Sequence, residues 1–72
     1  MKKELKIHYE NMKKAITINY NLTRDQIKEG FLTKEEGIKA YTQYAKALQQ
    51  VYIVDKEFER WNNLHIEKLK EL

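Results

Sequence analysis

The stretch LTRDQIKEGFLTKEEG, residues 22–37, decides the fold, because it writes one pattern twice. Residues 22–26 and 32–36 each begin with leucine and threonine, and each places Gln or Glu three positions after the threonine. This is the capping box, in which a threonine oxygen and a Gln or Glu side chain bind two backbone N–H groups at a helix start. The sequence therefore predicts two helix starts within one short segment.

Gly30 separates the two copies. A glycine just past a helix end readily takes the left-handed conformation that stops the helix. We therefore predict a short helix at about residues 24–29, an elbow at Gly30 and a new helix from about residue 34. Phe31 and Leu32 would fill the corner between them.

Residues 25–36 also resemble the EF-hand calcium loop. Asp25 stands at the first position, Gly30 at the sixth and Glu36 at the twelfth, and the resemblance implies calcium ligands there. Ile27 occupies the third position, which normally supplies a ligand oxygen. We therefore favour a structural corner and expect no metal.

The segment before this stretch has the spacing of an amphipathic helix at about residues 2–20. Residues 16–22 also alternate apolar and polar side chains as a strand would, but the hairpin this requires would turn through residues 11–14, which lack glycine. Helix is the favoured interpretation. Its apolar stripe consists of Leu5, Tyr9, Met12, Ile16 and Tyr20.

After Gly37 the chain contains neither proline nor glycine. One helix at about residues 34–71 is predicted, with Asp55 as the point where a bend would form. A straight helix gives a helical hairpin whose far end needs a partner, and a bend gives a three-helix bundle. Because residues near Asp55 lack turn chemistry, the extended form and a homodimer are favoured. Both arrangements are all-α.

Composition narrows the classes of protein. A chain of 72 residues without cysteine is a single domain, residues 1–72, with no disulfide and no thiolate metal site. The longest apolar run, residues 51–54, is far below the roughly 20 residues that span a bilayer. No secretory signal is recognisable at the N-terminus, so we expect a cytoplasmic protein without a membrane partner.

Catalytic chemistry has little support in the sequence. Serine and cysteine, the commonest nucleophiles, are both absent. His8 and His65 lie far apart, and neither is followed by a second ligand at helical spacing. We predict a protein that is not an enzyme and that holds neither metal nor cofactor.

Protein binding is the favoured function. The C-terminal half carries large aromatic and apolar side chains of the kind enriched in interface cores. We predict a homodimeric regulator or inhibitor. Many lysines and few arginines are typical of AT-rich genomes, which favours a protein of phage or mobile-element type. Its predicted interaction residues are Tyr52, Phe58, Trp61, His65 and Leu69.

Nucleic-acid binding is the alternative. Residues 1–24 hold six Lys or Arg and two Glu, a net charge of +4 within a chain of net charge +3. Lysines with nearby tyrosines on one helix could contact phosphates. The residues of this alternative site are Lys2, Lys6, Lys13 and Lys14.

Overall fold

The computed structural model describes residues 3–49 and 56–72, with side chains from residue 6 onward in the first range. Three α-helices make up this part of the chain: α1 (Lys3–Lys28), α2 (Lys34–Gln49) and α3 (Lys56–Lys70). No strand occurs among the described residues, so the all-α prediction is confirmed and the strand interpretation of residues 16–22 is wrong. The bend predicted near Asp55 lies outside the described residues.

Helix α1 runs without a break through the first copy of the repeated pattern. The predicted division into helices at about residues 2–20 and 24–29 is therefore wrong. Nothing in residues 3–28 stops a helix, since that segment has no glycine or proline. Thr23 is only 4% exposed and faces the core from within α1 instead of capping a helix.

Gly30 ends α1 as predicted, with φ of +83°. The N–H of Phe31 donates to the carbonyl of Gln26 at 2.9 Å, and the N–H of Gly30 donates to the carbonyl of Ile27 at 3.1 Å. These two bonds form the Schellman motif that satisfies the last carbonyls of a helix. Phe31 itself is 75% exposed, so the expectation that it fills the corner is wrong.

The second copy starts α2 as its pattern predicts. The N–H of Glu36 donates to Oγ1 of Thr33 at 3.1 Å, and the N–H of Thr33 donates to Oε1 of Glu36 at 2.9 Å. The bond from the Thr33 N–H to the carboxylate lowers the pKa of Glu36, and the Thr33 side-chain hydroxyl lowers it further. The capping box therefore fixes the first residue of α2.

A glycine brings α1 and α2 close together after the corner. Gly37 is buried, and a Cβ atom there would lie 2.5 Å from Cδ1 of Ile27 and 3.2 Å from Cγ2 of Thr23. A larger residue would force these side chains to move. The two copies of the repeated pattern thus meet across the α1–α2 contact.

Helix α3 folds back along α2, so residues 34–71 do not form one rod. Tyr41 of α2 bonds Asn62 of α3, and α3 runs parallel to α1, with Phe58 against Tyr9 and His65 against Tyr20. The extended hairpin favoured from the sequence is wrong, and the three-helix bundle is the arrangement present. The described residues span 42 × 18 × 16 Å.

The core lies along the axis of this bundle, and all three helices contribute to it. The stripe predicted for the first helix supplies Met12, Ile16 and Tyr20, which confirms its helical spacing. Two polar residues, Thr23 and Asn62, are buried with the apolar ones. The buried apolar residues are Met12, Ile16, Tyr20, Tyr41, Ala45, Phe58 and Leu69.

Candidate protein-interaction surface

The interaction residues predicted from α3 face the bundle. Phe58 and Leu69 are fully buried, and in the single chain neither offers a surface to a partner. Trp61 and His65 are half-buried against the same core. Tyr52 lies outside the described residues. The prediction failed for Phe58 and Leu69 because it assumed that α3 extends beyond the reach of α1.

Trp61 and His65 belong to a continuous series of ring contacts. The His65 ring lies 4.7 Å from Tyr20 and 4.4 Å from Trp61, both edge to face. Trp61 also contacts Phe58 at 5.4 Å, and Phe58 contacts Tyr9 at 5.9 Å. Edge-to-face pairs of this kind each contribute about 0.5–1.5 kcal/mol beyond their buried area. These aromatic side chains therefore hold α3 against α1.

His65 occupies this cluster as a neutral ring. Its Nδ1 lies 3.0 Å from the carbonyl oxygen of Trp61, which can only accept, so Nδ1 carries the proton. Burial lowers the pKa of His65, the hydrogen bond to Trp61 opposes that change, and the nearby Lys68 charge lowers the pKa further. The ring therefore serves packing at neutral pH.

One buried hydrogen bond joins α2 to α3. The hydroxyl of Tyr41 donates to Oδ1 of Asn62 at 2.6 Å, with both side chains in the interior. Burial raises the pKa of Tyr41, and the neighbouring Tyr20 raises it further. Because a buried polar group without a partner is costly, this bond selects one alignment of α3 along α2.

The lysines of the nucleic-acid alternative do not act as one group. Lys6 and Lys14 are exposed, and Lys2 lies outside the described residues. The ammonium of Lys13 lies 4.9 Å from the centre of the Trp61 ring and 5.5 Å from that of Tyr9. This cation–π contact covers ring faces on which a base would have to stack.

The outer face of α1 carries the largest exposed apolar group on a single helix. Ile7, Ile18 and Leu22 are 49%, 61% and 57% exposed. At about 100° per residue they fall within about 60° of one another, roughly opposite the core stripe of α1. Counted at whole-turn spacing, this outer stripe of α1 consists of Ile7, Asn11, Lys14, Ile18, Leu22, Asp25 and Glu29.

Charge is distributed unevenly along the outer stripe. Lys14 lies on the N-terminal side of the apolar pair Ile18 and Leu22, and Asp25 and Glu29 lie on the C-terminal side. All five side chains are exposed. Asp25 accepts a hydrogen bond from Nε of Arg24 at 3.1 Å, and this exposed pair contributes little to stability. The stripe is thus basic just before its central apolar pair and acidic after it, and Ile7 lies beyond Lys14 towards the N-terminus.

Sequence reasoning missed the outer stripe. The predicted first helix ends near residue 20 and separates Ile18 from Leu22, although their spacing of four is that of one helix face. Had α1 been extended through Thr23, the same count that gave the core stripe would have placed both on the opposite face. Exposed leucine also occurs elsewhere, as Leu64 is 61% exposed on α3.

The described residues contain no group of three or more His, Asp and Glu that could hold a metal ion. The segment compared with a calcium loop is divided between α1, the corner and α2, and the Glu36 carboxylate is engaged by Thr33. A small polar groove of about 230 Å³ lies between α2 and α3. Its lining residues are Thr42, Lys46, Gln49, Glu59, Asn62, Asn63 and Ile66.

Comparison of the chain with protein-family models, with curated proteins and with solved structures found no match in any of the three. Among the described helices, none combines the length and the apolar character needed to cross a membrane.

Proposed function

We propose that this chain is a non-enzymatic regulator that acts by binding another protein through the outer stripe of α1. The observation that carries this proposal is the exposure of Ile7, Ile18 and Leu22 on one face of the longest helix. Single exposed apolar residues are ordinary, whereas several aligned on one face are typical of binding surfaces. The assignment to a phage or mobile element stays a prediction from composition.

The stripe also indicates the chemistry of its partner. A helix of matching length could place apolar side chains against Ile18 and Leu22, acidic groups near Lys14 and basic groups near Asp25 and Glu29. Helix-on-helix docking of this kind uses residues at whole-turn spacing, as the stripe does. We therefore infer an amphipathic helix with the opposite order of charges.

Nuclear magnetic resonance titration tests this function directly. The probe is a synthetic amphipathic peptide with leucines at its centre, glutamates at one end and lysines at the other. We expect amide shifts confined to the outer stripe, and an increase in Kd of about tenfold when either Ile18 or Leu22 becomes serine. Leu64→Ser is the matched control, because it removes an equally exposed leucine from α3. Shifts confined to other faces, or no shifts, would refute the proposal.

Nucleic-acid binding through Lys6 and Lys14 is the second candidate, and the net charge of residues 1–24 is its support. The same titration with a single-stranded and a duplex oligonucleotide separates the two functions. A phosphate-binding surface would give salt-dependent shifts around both lysines, lost in the Lys6→Gln/Lys14→Gln variant. Protein binding through the outer stripe gives no salt-dependent shifts with either oligonucleotide.

A further inference from the structure

We propose that the helix which docks on the outer stripe of α1 is α1 of a second copy, in antiparallel orientation. This inference rests on the proposed function, since it uses the same surface, and it names the partner. The order of charges along the stripe, the position of its apolar pair and the symmetry of a dimer support this pairing.

The stripe is complementary to itself when reversed. If Ile18 of one copy lies against Leu22 of the other, residue numbers that face each other add to about 40. Lys14 then lies opposite Asp25 of the second copy, within one residue, and Asn11 lies opposite Glu29. Each contact occurs twice, as two-fold symmetry requires of a closed dimer. This alignment therefore places the basic residue of each copy near the acidic residues of the other.

The flanks agree with this alignment. Lys14 and Asp25 both lie on the same side of the line through Ile18 and Leu22, at about −50° and −30° from the centre of the stripe. In an antiparallel pair of helices, equal flanks meet each other. A parallel pair would instead set opposite flanks against each other, and Lys14 of one copy would lie roughly 16 Å along the axes from Asp25 of the other, too far for a contact.

The dimer would be weak. One helix pair buries less than the roughly 1,200 Å² of a standard interface, and four central apolar side chains provide most of its energy. Self-association is therefore to be measured up to concentrations of about 1 mM. The Phe31 side chain, 75% exposed just after α1, lies at the end of the stripe that would approach the N-terminal part of the second copy.

Sedimentation equilibrium of the full chain gives the first test. We expect a monomer–dimer equilibrium that Ile18→Ser and Leu22→Ser each weaken at least tenfold, while Leu64→Ser leaves it unchanged. Circular dichroism confirms that the variants stay folded, because substitutions at exposed helix positions change stability little. A wild-type chain that is monomeric throughout, or a dimer indifferent to both substitutions, would overturn the proposal.

Charge exchange tests the antiparallel alignment. Lys14→Glu and Asp25→Lys should each weaken the homodimer several-fold, whereas the double variant, or an equimolar mixture of the two single variants, should recover wild-type association. A parallel dimer would be unaffected by either single variant, because it does not bring Lys14 of one copy to Asp25 of the other. A dimer that Ile18→Ser weakens but that neither Lys14→Glu nor Asp25→Lys weakens would therefore refute the antiparallel alignment.

Two controls belong to the charge experiment. Asp25→Lys also removes the contact with Arg24. Arg24→Gln removes that contact, together with the one between Arg24 and the Tyr20 ring, and leaves Asp25 in place. Lys39→Glu makes the same charge change as Lys14→Glu on an exposed position of α2. Neither control should alter association. A monomeric chain that still binds the synthetic peptide through the outer stripe would overturn self-pairing and leave the proposed function standing.

Discussion

The two copies of one short sequence pattern have different structures in this molecule. Residues 32–36 form a complete capping box at the start of α2, whereas residues 22–26 lie within α1. Thr33 is exposed and binds the backbone, and Thr23 is buried beside Gly37. A capping pattern therefore marks where a helix is able to begin, and it is used only where the preceding helix has already ended.

Replacing each threonine by aspartate should separate the two copies most strongly. Thr23→Asp places a carboxylate at a buried position, which costs about 3–5 kcal/mol when the charge has no partner. Thr33→Asp keeps a good cap and should change stability by less than about 0.5 kcal/mol. Urea denaturation followed by circular dichroism measures both. Equal losses would show that Thr23 is not a core position.

Replacing each threonine by valine should instead destabilise the fold more at position 33 than at position 23. Thr33→Val removes the oxygen that accepts from the Glu36 N–H, at a cost of about 1 kcal/mol. Thr23→Val keeps the methyl group that packs beside Gly37, so we expect a loss below about 0.5 kcal/mol. The same denaturation experiment applies. A larger loss at position 23 would mean that the Thr23 hydroxyl is essential to the fold.

The smallest effect concerns pH, because only the second copy has a titratable group three positions after its threonine. The pKa of Glu36 is lowered in the folded chain, so its contribution is complete above the unfolded pKa of about 4.3 and is lost as pH falls through the folded value. Glu36→Gln should lack this loss, and its stability should approach that of the wild type in acid. Melting temperatures from pH 7 to pH 3 test this.

Gln26→Glu completes the pH comparison. It gives the first copy the same chemistry as the second, yet the residue lies within α1 and has no free N–H at position 23 to bind. We therefore expect no matching change in pH dependence. A change of equal size would indicate that residues 22–26 also cap a helix.

Spacing and capping chemistry predicted much of the fold. The stripe containing Met12, Ile16 and Tyr20, the corner at Gly30 and the cap at Thr33 all follow from local rules. These features depend on residues within a few turns of one another. Local rules therefore suffice for each helix and for the corner between α1 and α2.

The features that were missed depend on distant residues. Whether α3 extends or folds back is decided by contacts such as Tyr41 with Asn62, which local spacing does not reveal. Asn62 alone has the appearance of a surface residue, and it is buried because a hydroxyl from α2 satisfies it. For the same reason the sequence predicts a surface on α3, whereas the aligned exposed apolar residues lie on the outer stripe of α1. Once α3 is folded back, its residues Phe58 and Leu69 are covered.

The position of Trp61 makes the bundle its own optical reporter. This indole, the single tryptophan of the chain, lies at the junction of α1 and α3 beneath the Lys13 ammonium and against His65. Its fluorescence therefore senses whether those two helices are together, and separation of α3 would move the emission towards that of an indole in water. Folding and acid titration of His65 can thus be followed without an attached dye.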